Sequence, residues 1–452
     1  MKFRKFWVVA ACLIAFSCNG KIDNPDNGNN SDNAGNNGSD NENNNEPGGT
    51  AVNLSASGCA NCYVIDAAGE YAFDASVRGN GASSQGLETP QPLSPSSAKL
   101  LWQDSKSMIS SVSLSGTRVV FTAGSKPGNA VIAVENASGE IIWSWHIWHP
   151  EKPVSGLTTS KGYTLMNMNL GAISSELGLS AYGLLYQWGR KDPFPGSPIA
   201  SGGTIQTKSA PVYDLDGNET QILASSMFES YSNNLAYAIA HPNTCLSCNP
   251  TKTGDWLLSD ESSPALWGNP EGGLNVDGKY INNGGKSIYD PCPAGWRVPP
   301  ADLYSNFTGS GQYAWVELDS EGNPLKDDNG NMEISYTFGQ DSYPVCDINA
   351  DGILSMEDYN NGWVFRLGDN TSSYFPASTR YDATYALLRG SMVGLWGNYW
   401  TNAPSVQSNG TSDSAIAMGF AVKDMYGKTN ISISPNASGP KANAFAVRCI
   451  KE

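Results

Sequence analysis

The sequence has little positive charge, little histidine and few long apolar runs. Lysine and arginine together number 27 against 43 acidic residues, which gives a formal net charge of −16. The basic side chains are spread thinly, whereas a protein that neutralises nucleic-acid phosphates needs them clustered. The composition therefore argues against nucleic acid as a partner.

Residues that commonly carry catalysis are also scarce. The chain holds three histidines. His146 lies among tryptophans in a predicted strand and His149 precedes a proline, so both are interpreted as structural. The motifs of nucleophile elbows, zinc proteases and phosphate-binding glycine loops are missing from the sequence. We therefore expect a protein that is not an enzyme.

One apolar run stands out, near the start of the chain. Residues 6–16 are apolar, follow a positively charged start, and are too few to span a bilayer. Small residues and Cys18 then close the run, which is the arrangement of a secretory signal whose cysteine accepts lipid. We predict a lipoprotein signal peptide over residues 1–18 with lipidation at Cys18. An ordinary cleaved signal with an incidental cysteine is the alternative.

The segment after this cysteine is polar. Residues 19–50 consist largely of Asn, Asp and Gly and have almost nothing apolar to bury. Such a segment cannot offset the entropy of ordering, so we predict a disordered tether with an end-to-end distance on the order of 30 Å. Lys21 and Asp23 resemble the export signal of surface lipoproteins in the Bacteroidetes. That resemblance implies a surface-exposed lipoprotein of the cell outer membrane.

The next hundred residues show the pattern of a β-sandwich. Short alternating runs are separated by turn residues and cover 62–66, 70–77, 99–103, 111–115, 118–123, 130–136 and 140–148. Seven short strands with turns every eight to twelve residues are typical of a β-sandwich of about a hundred residues. Trp143, Trp145 and Ile147 alternate along the last run, and such a stripe is usually core. With 48 glycines and 26 prolines, the whole chain is predicted to be mainly β.

A resemblance to one family rests on stretches that recur there in the same order. They are NCYVIDAAGEYAFDASVRGNG (61–81), GNAVIAVENASGEIIWSWHIWHP (128–150), NLGA (169–172), GLLYQWGRKDPF (183–194), YDPCPAGWRVP (289–299), YFPASTRY (374–381), NYWTN (398–402) and FAVRCIKE (445–452). On these stretches the sequence resembles the fimbrillin-associated surface lipoproteins of Bacteroides and relatives, whose C-terminal part is called the Fibrobacter succinogenes major paralogous domain.

The resemblance covers about residues 51–452. It implies an immunoglobulin-like β-sandwich at 51–152 followed by an α+β domain at 153–452 that is similar to the C-type lectin-like fold. Residues 310–360 are predicted to be an acidic insert in that domain. The family also implies adhesion or association with a pilus, with a cell-surface glycan or protein ligand and pilus subunits as partners. A lipoprotein that captures polysaccharide for a nutrient uptake system is the alternative.

Cysteine spacing favours one disulfide. The chain has nine cysteines, of which seven remain after the signal peptide and the lipidation site are removed. A bridge from Cys292 to Cys449 would close most of the C-terminal domain and stabilise it by about 4–5 kcal/mol on the entropic model. We predict this pairing.

Two Cys-x-x-Cys pairs have a second interpretation. Cys59 with Cys62 and Cys245 with Cys248 have the spacing of structural zinc ligands. Disulfides are favoured for an exported chain. The connectivity of these four cysteines and of Cys346 stays open, because spacing alone does not determine it.

The sharpest local motif is an EF-hand-like calcium loop at residues 347–358. Such a loop needs oxygen ligands at positions 1, 3, 5, 7 and 12 and a glycine at position 6. The predicted ligands are Asp347, Asn349, Asp351, the carbonyl of Ile353, and Asp358. We expect a structural calcium ion, with a solvated acidic turn as the alternative.

A ligand platform is predicted in the C-terminal domain. Trp396, Asn398, Tyr399 and Asn402 offer aromatic and amide groups of the kind that hold a sugar ring. The alternative is that these side chains pack the core of the domain, which we favour for Trp400.

Overall fold

The computed structural model describes residues 51–196, 209–249, 254–258, 263–271, 284–316, 342–345, 358–389, 392–405, 413–422 and 431–452. Strands dominate these residues, so the chain is mainly β, as the sequence predicts. No helix among them is long and apolar enough to cross a membrane. Cys18 and the predicted tether lie outside the described residues.

Eight strands form the N-terminal part. They are β1 (Val52–Asn53), β2 (Cys62–Val64), β3 (Gly69–Asp74), β4 (Ser97–Gln103), β5 (Ile109–Ser115), β6 (Arg118–Ala123), β7 (Gly128–Glu135) and β8 (Ile141–His149), with a 3-10 helix at Leu54–Ser57. The seven predicted strands are therefore confirmed as β2 to β8, each within a few residues of its expected bounds.

The remaining elements follow. They are β9 (Gly156–Thr158), β10 (Thr164–Met166), β11 (Leu185–Gln187), β12 (Val212–Tyr213), β13 (Glu219–Thr220), β14 (Leu223–Ala224), helix α1 (Asn234–Ala240), β15 (Thr244–Cys245), β16 (Trp296–Arg297), β17 (Ala314–Val316), β18 (Tyr343–Val345), β19 (Gly362–Gly368), β20 (Thr371–Pro376), β21 (Trp396–Pro404), β22 (Ser414–Ala421), β23 (Ile431–Pro440), β24 (Ala444–Ala446) and β25 (Ile450–Lys451). Short 3-10 helices cover Leu179–Ala181, Ala301–Phe307 and Asp358–Asn360.

Two sheets form the N-terminal sandwich. One has the order β1-β3-β6-β5 and the other β13-β12-β4-β7-β8-β2. Buried and half-buried residues alternate along β6, as expected of a strand with one face toward a core. The sheets meet where Phe73 of β3 contacts Trp145 of β8, with ring centroids 5.0 Å apart. The predicted core stripe on β8 is confirmed, since Trp143, Trp145 and Ile147 are all buried.

The second face of β8 is buried as well. Trp148 Nε1 donates to the carbonyl of Ala172 (2.7 Å), and Ser144 Oγ donates to Asp192 Oδ1 (2.6 Å). Both contacts lie beyond residue 152, in the part predicted to be a separate domain. Tyr213 of β12 also pairs with Gln103 of β4 and so joins the sandwich sheet. The two parts therefore share a sheet and a core, and their division into two domains stays a prediction.

The C-terminal part is built around a six-stranded sheet of order β11-β24-β21-β22-β23-β17. Its core is largely aromatic, with Phe365, Phe375, Tyr399 and Phe420 among the buried side chains. The predicted insert is partly described, and two of its strands are integrated into this region. β17 pairs with β23, and β18 pairs with β19.

A disulfide closes the C-terminal part. The Sγ atoms of Cys292 and Cys449 lie 2.03 Å apart, and the two residues are separated by 157 positions. Cys449 precedes β25, which pairs with β16 four residues after Cys292. This is the pairing that the sequence favours.

Candidate ligand-binding groove

A groove of about 560 Å³ opens where the N-terminal strands meet the C-terminal part. Three stretches supply most of its lining, within residues 52–71, 150–154 and 293–296. We call it the junction groove. Its volume lies in the range of roughly 300–1,000 Å³ that is usual for small-molecule sites.

An indole ring forms part of the wall of the junction groove. Trp296 is half-buried in β16, and its backbone N–H donates to the carbonyl of Pro293 (3.0 Å). The Lys451 ammonium lies 5.2 Å from the centroid of the indole ring. Trp296 and Lys451 are partners in the antiparallel pairing of β16 with β25. The ring is therefore held by the sheet rather than by a loop.

Polar side chains line the rest of the junction groove. Asn53, Ser57, Asp66, Glu151 and Lys152 are all exposed lining residues. They offer hydrogen-bond donors and acceptors beside an aromatic face. A sugar ring has the same combination of apolar C–H faces and hydroxyl groups, so this lining suits a glycan.

Two buried titratable groups, Cys62 and Tyr63, also line the groove. Burial raises the pKa of the Cys62 thiol, and so disfavours its thiolate form. Burial also raises the pKa of Tyr63, whose hydroxyl lies 3.0 Å from Ser55 Oγ. Both groups therefore remain neutral at ordinary pH.

A buried polar network joins the sandwich to the C-terminal part. The Asp104 carboxylate accepts hydrogen bonds from the backbone N–H and Nδ2 of Asn129, both at 2.7 Å. Asn129 Oδ1 lies 2.9 Å from His146 Nε2, and Asn129 Nδ2 also donates to the carbonyl of Gly171 (2.9 Å). Since Oδ1 can only accept, Nε2 carries the proton. The Tyr186 hydroxyl lies 3.3 Å from His146 Nδ1.

Desolvation determines the charge of this network. Burial raises the pKa of Asp104 to about 6, although the bonds from Asn129 oppose that shift. Burial lowers the pKa of His146 to about 3, so the imidazole is neutral. His146 is buried and Asp104 is half-buried, and the enclosure of His146 agrees with the structural role predicted for it.

The predicted ligand platform in β21 requires correction. Tyr399 is fully buried, and its hydroxyl donates to the carbonyl of Pro376 (2.8 Å). Asn402 is fully buried too, so neither side chain can meet a ligand at the surface. Trp396 and Asn398 are half-buried. Because two of the four side chains are enclosed, the platform is not assembled as predicted.

Trp400 packs in the core, as favoured from the sequence. It is fully buried, and its ring stacks on Phe445 with the centroids 4.1 Å apart.

The predicted calcium ligands Asp347, Asn349, Asp351 and Ile353 lie outside the described residues. Asp358 begins a described 3-10 helix, without a described side chain. The calcium site therefore stays a prediction.

The two Cys-x-x-Cys pairs form no described cluster. Cys59, Cys62, Cys245 and Cys248 are free thiols. No group of three or more potential metal ligands occurs within the described ranges. Cys346 lies outside them.

Fold and groove together define a mainly β chain with a cleft of small-ligand size. No family model, no curated protein and no solved structure matches the chain. The family resemblance noted above therefore stays a prediction from the sequence stretches themselves.

Proposed function

We propose that this chain is a surface-displayed lipoprotein that binds a glycan or protein ligand in adhesion or in association with a pilus, through a groove to which its C-terminal part contributes. The signal-like start, Cys18 and the polar segment 19–50 support export and anchoring. In this proposal the lipid anchor holds the chain at the outer membrane.

The junction groove is the observation that carries the proposal. Trp296 belongs to the C-terminal part and presents an indole beside exposed Asp66 and Glu151. Carboxylates accept hydrogen bonds from sugar hydroxyls while the ring packs against C–H faces. We therefore favour a glycan over a protein as the ligand of this groove.

A glycan array tests the assignment. We expect the purified protein to bind a defined set of glycans and Trp296→Ala to reduce that binding by about tenfold or more, in line with one lost aromatic anchor. Tyr313→Ala is the matched control, because Tyr313 is a 45 % exposed aromatic residue outside the groove lining. Equal binding by both variants would place the ligand elsewhere.

A second comparison, of binding to whole cells and to free polysaccharide, distinguishes adhesion from nutrient capture. An adhesin binds whole cells that carry the glycan, whereas a nutrient-capture lipoprotein binds free polysaccharide and not cells. Binding to polysaccharide alone would replace adhesion with the uptake alternative. Repeating the array with a chelator shows whether the proposed structural calcium contributes to binding.

Anchoring is tested separately. We expect mass spectrometry of the mature N-terminal peptide to show acyl groups on Cys18, and Cys18→Ser to lose them. An unacylated chain in the cytoplasm would remove the proposed location.

A further inference from the structure

A second groove, of about 460 Å³, lies on a different part of the body. Its walls come from the β12–β13 hairpin, strand β14 and the segment that follows Tyr381. Leu223 and Leu387 both line it and are 47 % and 48 % exposed. We call it the leucine groove. It shares no lining residue with the junction groove.

Exposed apolar side chains are concentrated in the two loops beside the leucine groove. Met227 and Phe228 follow β14 at 52 % and 39 % exposure, and Tyr385 precedes Leu387 at 49 %. With the two leucines they make five of the ten exposed large hydrophobic residues in the described part of the chain. Single exposed apolar residues are ordinary, but a concentration of them indicates an interaction site.

The same two loops hold unusual backbone conformations. Phe228 has φ 57° and Ala386 has φ 51°, in the left-handed region that non-glycine residues rarely adopt. Both loops form hydrogen bonds to the same segment, which contains Ser247 and Cys248. Ser247 Oγ donates to the carbonyl of Ser226 (2.7 Å), and the Cys248 N–H donates to the carbonyl of Ala383 (2.7 Å). Each of the two loops is therefore hydrogen-bonded to the segment that contains Ser247 and Cys248.

A strand edge faces the leucine groove. β14 pairs with β15 through bonds from Leu223 N to the carbonyl of Asn243 and from Ser225 N to the carbonyl of Cys245, both 2.9 Å. In a parallel pair, the residue between two such donors directs its own N–H and C=O to the opposite side. That residue is Ala224, which is exposed and lines the groove. In this geometry, the backbone of an extended peptide can pair with Ala224 along the edge of β14.

The charge of the leucine groove indicates which kind of partner it can bind. Among the described lining residues, Glu219 is the only one with a charged side chain. Asp382 nearby is neutralised by Arg389 at 2.8 Å. The groove is thus weakly acidic on a chain of net charge −16, which disfavours a second copy and an anionic membrane. Charge complementarity favours a basic partner.

We propose that the leucine groove docks an extended segment of a partner polypeptide that carries apolar side chains flanked by Lys or Arg. The partner's alternate apolar side chains pack on Leu223 and Leu387, its backbone pairs with Ala224, and its basic residues meet Glu219. This docking is independent of the glycan proposed for the junction groove.

Panning a phage-displayed library of random peptides on the full protein tests the proposal. We expect enrichment of peptides with alternating apolar residues next to Lys or Arg. Synthetic versions should bind the Leu223→Ser/Leu387→Ser double variant about tenfold or more weakly. The control is Leu177→Ser/Tyr343→Ser, which alters residues 53 % and 51 % exposed elsewhere and should bind like wild type. Glu219→Lys should weaken binding of the basic peptides.

Other outcomes overturn the proposal. Failure to enrich peptides, or enriched peptides that bind every variant equally, removes the docking site. Dimerisation in sedimentation that the leucine double variant abolishes assigns the groove to a second copy. Flotation with vesicles of phosphatidylethanolamine and phosphatidylglycerol, lost in the same variant, assigns it to a lipid surface. Circular dichroism and melting temperature of each variant exclude misfolding as the cause.

Discussion

The contribution of Asp104 to stability should fall as pH rises through the titration of its carboxyl group. The carboxyl has a pKa of about 6 in the folded chain, against the ordinary value of 3.8 that we take for the unfolded chain. Between these values the folded state holds a proton that the unfolded state has released. The contribution of Asp104 to the unfolding free energy therefore decreases with rising pH, by about 1 kcal/mol per pH unit near pH 5.

Integrated over the whole transition, the Asp104 contribution is about 3 kcal/mol. It is fully present below about pH 4 and lost above about pH 6. Asp104→Asn removes the titrating carboxyl but also places an amide beside Asn129, which changes stability at every pH. The stability of the variant at a single pH therefore does not report the titration. The informative quantity is the pH dependence of the difference between wild type and variant.

Urea unfolding followed by tryptophan fluorescence between pH 3.5 and 7.5 measures that difference. We expect the stability of wild type relative to Asp104→Asn to decline by about 3 kcal/mol across this range. Glu70→Gln, at an exposed position on β3, serves as the control and should leave the pH profile unchanged. A difference that stays constant with pH would refute the burial argument for Asp104.

Three further outcomes are expected. Arg448 is 1 % exposed and donates to Asn169 Oδ1, Ser373 Oγ and the carbonyl of Tyr374 at 2.8–2.9 Å. Arg448→Ala should therefore lower the free energy of unfolding by about 3–5 kcal/mol in urea titration, because three buried acceptors lose their donor. Replacing Cys292 and Cys449 by serine should cost about 5 kcal/mol on the chain-entropy model for a loop of this length, and chemical denaturation in the absence of reductant measures it. Chelation should lower the melting temperature of wild type, with no such shift in Asp347→Ala, whereas an unchanged wild-type value would remove the calcium loop.

Much of the N-terminal fold could be predicted because its signal is local. The alternation along residues 111–123 and the aromatic stripe on β8 each report one buried face, and both were located correctly. The second buried face of β8 was harder to predict. Ser144 and His146 are polar, and their partners lie tens of residues further along the chain.

The candidate site could not be predicted in the same way. Trp296 gains its significance from residues near 52–71 and 150–154, and only tertiary structure brings these stretches together. The ligand platform predicted at residues 396–402 was wrong for the opposite reason. Its residue types suit a ligand, but β21 lies between two other strands of its sheet, and both Tyr399 and Asn402 are enclosed in the interior.

Because both faces of β8 are buried, the N-terminal strands cannot simply be prepared as a separate fragment. A fragment that stops at residue 152 would expose Trp148 and His146 to water and would lack β12, which covers the outer edge of β4. Such a fragment would have an exposed apolar surface and an unpaired strand edge, so it should precipitate or self-associate. Anyone who wants the N-terminal strands in isolation will have to keep the rest of the body with them.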